Sequence, residues 1–439
     1  MKVMKFGGTS VGKPGRMHEV AGLLTANSEK KLVVLSAVSG TTNALVTISA
    51  LLAKGDRVAA KETIDALENQ YREFIKALVQ SDAALANATA ILKEHFEFLN
   101  IILKISYSEA LNKDVLAQGE LLSTKLFAVY LAEKAIPHVL LPALEFMAID
   151  ANDEPQLPLI REKLNALLQQ HNETDLFITQ GFICRNARGE VDNLKRGGSD
   201  YSASLMAAAI NASVCEIWTD INGMHNNDPR IVAKTVPVEQ LSFDEAAELA
   251  YFGAKILHPA SIWPAQQYNV PVKLLNTMEP SARGTLIASG AASKGVKAVA
   301  AKDGITAINI RSSRMLLAYG FLRKVFEVFE KYRTPIDMIT TSEVAVSVTI
   351  DNAAELDAIV KELGVLGTVE TDTNQTIVSI VGYELASEHG VLKKLFHSLD
   401  GIHVRMVSYG GSAHNISILI DSAEKATVLQ QLNSGLFGL

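Results

Sequence analysis

Near its amino terminus the chain reads Lys2-Val3-Met4-Lys5-Phe6-Gly7-Gly8-Thr9-Ser10, a short apolar run that delivers a lysine and then breaks into two glycines and two hydroxyls. A polyphosphate needs this set: a fixed cation, backbone N–H groups open to close approach, and small polar side chains. A strand that simply ends in a turn would use the same residues. The spacing of Gly7, Gly12 and Lys13 imitates a P-loop, yet the next residue is Pro14. Proline offers no metal-binding hydroxyl and removes an N–H where phosphates would dock, so the P-loop reading fails.

Other segments combine glycine with charge. Arg196-Gly197-Gly198-Ser199-Asp200 runs into an alanine-rich helix ending near Ala209. Ser199 or Asp200 can cap that helix, its N-terminus attracts anions, and Arg196 adds a forked donor for a carboxylate or phosphate. Trp218-Thr219-Asp220 ends a strand, and Asn222-Gly223 and Asp228-Pro229-Arg230 form turns. Phe252-Gly253-Ala254-Lys255-Ile256-Leu257-His258-Pro259 sets a second lysine beside small residues. Gln118-Gly119-Glu120 is expected to place a carboxylate at a helix start, where capping is an equally good reading. Taken together, the segments offer two lysines for phosphates, an arginine and a glutamate for a zwitterion, and an aspartate to organise the centre.

The elements that must position these groups follow from the apolar pattern. Leu32-Val33-Val34-Leu35 is a continuous apolar run of the kind buried on both faces of a parallel sheet. Further strands are expected at residues 139–141, 176–179, 215–218 and 272–275, alternating with helices. Residues 56–118 contain neither glycine nor proline and predict two or three long helices. The expected fold class is α/β, with ligands at the carboxyl ends of the strands.

A small-residue linker near residues 288–302 marks a boundary, and an internal repeat follows. Gly320-Phe321-Leu322-Arg323-Lys324-Val325-Phe326 matches Gly390-Val391-Leu392-Lys393-Lys394-Leu395-Phe396, and Val346-Ser347-Val348 matches Ile416-Ser417-Ile418, both at an offset of 70 residues. Each copy reads as a ferredoxin-like βαββαβ unit, with a last strand clear only in the first copy. The expected domains are 1–290, 302–372 and 376–439, the last two with room to interleave.

Composition narrows the class. At 439 residues with 48% hydrophobic and 20% charged residues, the chain reads as a soluble globular protein of two or three domains. A net charge of −7 argues against a nucleic-acid partner, and no apolar run is long enough to span a membrane. The opening residues are too short and polar a stretch for a signal peptide. The two cysteines, Cys184 and Cys215, show no metal or redox spacing, so buried inert thiols and a cytoplasmic location are expected. The ten histidines are scattered and predict no zinc site.

In order along nearly the whole chain, Lys5-Phe6-Gly7-Gly8-Thr9-Ser10, Arg196-Gly197-Gly198-Ser199-Asp200, Trp218-Thr219-Asp220, Asn227-Asp228-Pro229-Arg230 and Phe252-Gly253-Ala254-Lys255-Ile256-Leu257-His258-Pro259 resemble the motifs of the aspartokinases, members of the amino-acid kinase superfamily. The C-terminal repeat resembles their tandem ACT domains. The resemblance implies a three-layer αβα sandwich with a mainly parallel sheet, followed by two ACT units. It implies transfer of the ATP γ-phosphate to the β-carboxylate of L-aspartate, with Mg²⁺ carried in by ATP. Lys5, Gly7, Gly8, Asp200 and Lys255 would serve the transferring phosphoryl. Thr42, Glu120, Arg196, Gly197, Gly198 and Ser199 would hold the substrate. Thr9, Ser10, Thr219, Asp220, His225, Arg230 and Ile256 would join Lys5, Gly8 and Lys255 around ATP, with His225 standing where the family often has an aromatic ring.

The resemblance extends to an amino-acid effector site, with lysine as the expected ligand, on Met315, Ala318, Phe321, Leu322, Pro335, Ile336, Asp337, Thr341 and Glu343. Ala318 and Pro335 replace family serines there. It also implies a homodimer or higher homo-oligomer through the ACT units, and a monofunctional enzyme. Two alternatives stay open: a related small-carboxylate kinase, against which Glu120 and Arg196 argue, and a catalytically silent amino-acid sensor, against which the retained Lys5 and Asp200 argue.

Overall fold

A computed structural model describes residues 1–194, 197–253, 257–290, 294–312 and 319–439. Arg196, Lys255, Ile256, Met315 and Ala318 lie outside the described residues. The chain divides into two compact units, Met1–Met224 with Leu257–Ser289, and His225–Ile256 with Gly290–Leu439. The segment His225–Ile256, inside the span 1–290 expected for one domain, therefore clusters with the C-terminal half.

The first unit begins β1 (Lys2–Phe6), α1 (Pro14–Thr25), β2 (Lys31–Leu35), α2 (Thr41–Ala53), α3 (Arg57–Leu78), α4 (Asp82–Ile102) and α5 (Glu109–Glu133). It continues through β3 (Val139–Leu141), α6 (Ala143–Phe146), α7 (Leu157–Gln170), β4 (Leu176–Gln180), β5 (Ile183–Arg185), β6 (Val191–Asn193), α8 (Gly198–Ala209) and β7 (Cys215–Thr219). The chain enters the second unit for β8 (Gln240–Leu241) and α9 (Phe243–Tyr251), then returns for α10 (Pro259–Gln267), β9 (Val272–Asn276) and β10 (Thr285–Ile287).

In this unit the strands run in the order β3-β4-β2-β1-β7-β9-β10, all parallel except β10. Every residue of β2 is buried, as its unbroken apolar run requires of a strand covered on both faces. The chain leaves β1 for β2 on one side and returns to β7 on the other, so the strand order reverses at β1. Ligand crevices form at such reversals, beyond the carboxyl ends of the strands. Side chains of Asp56, Ser81 and Ser108 accept hydrogen bonds from backbone N–H groups and start α3, α4 and α5, filling the glycine-free span with three long helices. Their apolar stripes share one core with β1 and β2, built on Phe6, Leu45, Ile48, Tyr71 and Phe127.

The second unit continues with β11 (Gly295–Arg311), α11 (Phe321–Lys331), β12 (Ile339–Thr341), β13 (Ala345–Ile350), α12 (Leu356–Leu363), β14 (Thr368–Tyr383), α13 (Val391–Ser398), β15 (Met406–Ser408), β16 (Asn415–Asp421) and α14 (Lys425–Phe437). Its antiparallel strands run β12-β13-β11-β14-β16-β15. The repeat is visible in the backbone: Gly320 (φ 80°) and Gly390 (φ 81°) occupy matching left-handed positions before α11 and α13. Residues 307–311 of β11 pair with β13 and with the start of β14, whereas the first part of β11, from Gly295 to Lys302, pairs with the end of β14. The last strand missing from the second copy is thus supplied by the first half of β11. One apolar core lies around Phe321, Val325, Val348 and Ile359, the other around Val391, Leu395, Ile418 and Leu432. No helix among the described residues is long and apolar enough to cross a membrane. Cys184 and Cys215 are free, buried thiols, and burial pushes the Cys184 thiol up to about 12.

Candidate functional site

Parallel register brings the ends of β1, β2, β4 and β7 to one edge. Phe6 pairs with Leu35 and Trp218, and Leu35 pairs with Gln180. The next residues emerge together: Gly7 N donates to Trp218 O (3.2 Å), Ser36 N to Phe6 O (3.2 Å) and Gly181 N to Leu35 O (3.0 Å). An open cavity of about 490 Å³ lies here. Gly8 and Thr9 line it from the first turn, residues 36–40 with Thr42 and Asn43 from the second, and Glu120, Phe182, Gly198 and Ser199 complete it. Residues expected to meet phosphate and residues expected to meet an amino acid thus share one wall.

Lys5, at the end of β1, and Asp200, in the first turn of α8, form an ion pair of 2.6 Å between Nζ and Oδ1, with side chains 11% and 18% exposed. A Cβ at Gly7 would sit 3.3 Å from that Nζ, so the ammonium folds back over the glycine turn. A fixed cation beside glycine N–H groups suits the phosphates of a nucleotide. Neither Ser199 nor Asp200 caps α8: the cap position belongs to Gly197, whose φ of 66° is left-handed, and no side chain bonds there. Ser199 packs instead against Gly181, and Asp200 is free to meet Lys5. The N-terminal turn of α8 faces the cavity through Gly198 and Ser199.

Glu120 does not begin a helix. It sits in the middle of α5, because the helix continues through Gly119 where it closes on the Ala37 turn: a Cβ there would meet the Ala37 Cβ at 2.9 Å. Glu120 is buried, and its Oε1 accepts from Ala37 N at 3.3 Å while its Oε2 has no partner. Burial raises its carboxyl to about 7, an effect the Ala37 N–H partly offsets. A buried carboxylate with one oxygen unpaired, lining a cavity, is suited to an ammonium ligand.

Ser10 is fully buried behind the turn, its hydroxyl 2.7 Å from Thr277 Oγ1, so its side chain braces the first turn rather than lining the cavity. Thr219 Oγ1 donates to Asp220 Oδ1 at 3.2 Å, and Asp220 is exposed at the end of β7. In the second unit, His225 Nδ1 lies 2.9 Å from Thr235 Oγ1, and burial lowers the His225 ring. Arg230 is exposed and clasps Asp228 through Nε (2.9 Å) and Nη2 (2.7 Å).

Of the expected effector residues, Phe321 is buried at the start of α11, and Leu322, Pro335, Thr341 and Glu343 are exposed. Ile336 packs on the adjoining core. Asp337 is the best defined: its side chain is 1% exposed, and its Oδ1 accepts from Tyr251 Oη (2.9 Å) and pairs with Lys302 Nζ (2.7 Å). Lys302 also meets Asp351 Oδ2 at 2.8 Å and lies over the Tyr251 ring. Burial alone would lower the Lys302 ammonium, but bonds to Asp337 and Asp351 more than reverse this and raise it. Asp337 Oδ2 is buried without a partner.

Seven cavity residues stand outside the site assignments read from sequence: Ser36, Ala37, Val38, Ser39, Gly40, Asn43 and Phe182. Phe182 has φ 65°, a left-handed conformation costly for a phenylalanine, and its N–H is held by Ser202 Oγ at 2.8 Å. Six of the seven lie between the carboxyl end of β2 and the first turn of α2, and Phe182 lies just past β4, so position beyond the ends of buried parallel strands is the signal that could have found them.

A profile of the amino acid kinase family matches residues 1–276, and an ACT domain profile matches residues 378–436. The lysine-sensitive aspartokinase 3 of Escherichia coli K12 is 33% identical over 457 aligned positions, covering 99% of each chain. The crystal structure of E. coli aspartokinase III with aspartate and ADP, in the R-state, matches with a TM-score of 0.84 at 34% identity over all of both chains. That of the same enzyme with lysine and aspartate, in the T-state, matches with a TM-score of 0.82 at 34% identity, over 100% of this chain and 99% of the other.

Proposed function

The chain belongs to the amino acid kinase family and, within it, to the aspartokinases, and from that premise we propose the following reaction and assignment of residues. The protein transfers the γ-phosphoryl group of ATP to the β-carboxylate of L-aspartate. The bond from the γ-phosphorus to the ADP oxygen breaks, a bond to a carboxylate oxygen forms, and the products are ADP and 4-phospho-L-aspartate. The observation that carries this reading is the shared cavity, where the Gly8-Thr9 turn and the buried carboxylate of Glu120 line one space.

The chemistry asks little proton transfer of the protein. An aspartate side chain, with an ordinary pKa near 4, is already ionised at neutral pH. The difficulty is the approach of two anions, so positioning and fixed positive charge are nearly the whole task. Lys5, held by Asp200, and Lys255 supply cations; Gly7 and Gly8 supply N–H groups. Asp200 orients Lys5 and takes no proton. Glu120 pairs with the substrate ammonium, Arg196 with its α-carboxylate, and Thr42, Gly197, Gly198 and Ser199 complete that subsite. By the family resemblance we assign Thr219, Asp220 and His225 to the nucleoside, Arg230 to the phosphates and Ile256 to ATP. Among the described residues no group of three or more His, Cys, Asp or Glu side chains could hold a metal ion, and we assign Mg²⁺ to the nucleotide phosphates.

We assign amino-acid sensing to units at 302–372 and 376–439, with lysine as effector at the first, near Asp337, and self-association through these units in the cytoplasm. The solved lysine complex of the E. coli relative supports the choice of effector. Purified protein with Mg-ATP, hydroxylamine and a panel of acids tests the reaction. Hydroxamate should form with L-aspartate alone; formation with another acid, or with none, refutes it.

A further inference from the structure

Behind the cavity wall lies a contact that the reaction as described does not use. Thr41 is the first residue of α2 and is 2% exposed; Tyr71, in the middle of α3, is 1% exposed. Their hydroxyls meet at 2.7 Å. Nothing else in α3 offers a polar group so deep in this core, where Tyr71 is flanked by Phe74 and Phe96. A phenol buried among aromatic rings must find a partner, since leaving it unpaired costs more than the hydrogen bond itself contributes. A phenylalanine would fill the same space at no such cost, so the hydroxyl calls for a reason beyond packing.

The geometry around Thr41 supplies one. Thr41 follows Gly40, which is left-handed at φ 85°, and its N–H donates to Val38 O at 3.0 Å, closing the turn of residues 38–41. That turn is part of the cavity wall: Val38, Ser39, Gly40, Thr42 and Asn43 all line the space. Thr41 alone in that run points away from it, into the core. The Thr41 methyl is also one of three contacts a Cβ at Gly119 would meet, at 3.5 Å, so the same side chain abuts α5 one residue before Glu120. The wall in turn holds Glu120, through Ala37 N. A single hydroxyl pair therefore ties α3 to two of the groups expected to meet the amino-acid substrate, Thr42 by adjacency and Glu120 through the turn.

We infer that Tyr71 is a positioning residue for the amino-acid subsite, holding Thr41 so that Thr42 and Glu120 keep their places. The inference rests on the reading of Glu120 and Thr42 as substrate contacts. It predicts a defect weighted toward aspartate, because the Lys5–Asp200 pair hangs on other elements, β1 and α8.

Steady-state kinetics of Tyr71→Phe, Thr41→Val, the double variant and Thr41→Ser tests this. Loss of one buried hydroxyl pair should raise KM for aspartate roughly 5- to 10-fold, with KM for ATP and kcat within about twofold of the parent. The double variant should be no worse than either single one, as expected of two groups that act only through each other. Thr41→Ser, which keeps the hydroxyl, should retain near-parental KM. A Tyr71→Phe protein that melts lower but binds aspartate normally overturns the inference, as does an equal rise in both KM values or an additive double variant. Glu120→Gln separates the two levels. If it leaves KM for aspartate unchanged, the substrate reading falls and this inference with it; if it raises KM while Tyr71→Phe does not, only the inference falls.

Discussion

Lys5 Nζ stands 2.6 Å from Asp200 Oδ1, joining the end of the first strand to the first turn of α8. The pair fixes the ammonium before any ligand arrives. Charge held in place in advance costs no reorganisation when negative charge develops opposite it, and the glycine turn beneath Nζ leaves room for phosphate oxygens.

Removing that cation should be severe. Lys5→Ala is expected to lower kcat on the order of 10²–10³, by analogy with loss of one preorganised donor. Single-turnover hydroxamate formation measures it, and an unchanged rate removes Lys5 from the site.

Asp200→Asn keeps the shape and removes the charge that orients Lys5. A drop in kcat of roughly tenfold or more is expected, the scale of a hydrogen bond to a charged group. Near-parental turnover would show that Lys5 needs no such partner.

Glu120 makes a pH prediction. Its carboxyl, raised by burial to about 7, carries a proton below that pH in the ligand-free protein and must lose it to pair with an ammonium. KM for aspartate should therefore climb as pH falls below about 7, approaching tenfold per unit, with KM for ATP flat. The stability sign follows from the same shift. Because the folded value lies above the unfolded one, this group's contribution is present at pH 4 and is lost as pH rises through about 7. Glu120→Gln should abolish both trends, read by KM profiles and urea midpoints; a parental KM profile in the variant would assign the titration elsewhere.

Lys302→Met strips Asp337, whose side chain is 1% exposed, of its ammonium partner. Breaking such a pair should cost about 3 kcal/mol in urea unfolding of the second unit, and Lys302→Met with Asp337→Asn should recover much of it. A neutral single variant would mean that Tyr251 alone satisfies Asp337.

Much of this architecture could be read from residue order. Buried strands such as Leu32-Val33-Val34-Leu35 announce themselves by composition, and the 70-residue offset exposes the repeat because the same amphipathic helix and alternating strand recur. What stayed hidden depends on contacts distant in sequence. Glu120 looked like a helix start because Gly119 usually interrupts helices; only the close approach of Ala37 explains a glycine in mid-helix. Ser199 and Asp200 looked like caps because the left-handed turn at Gly197 cannot be inferred from residue type alone. The Tyr71–Thr41 pair joins an unremarkable helix stripe to an unremarkable turn, and no local pattern marks it.

The central strands β11 and β14 have a further consequence. Each runs unbroken through both copies of the repeat, and the first half of β11 completes the sheet of the copy that follows later in the chain. Neither copy could be excised or grafted elsewhere without leaving a torn sheet edge on both pieces. The transplantable module is the pair, and a chimaera that exchanges effector specificity with a relative has to carry Gly290–Leu439 across whole, together with the His225–Ile256 segment that clusters with it.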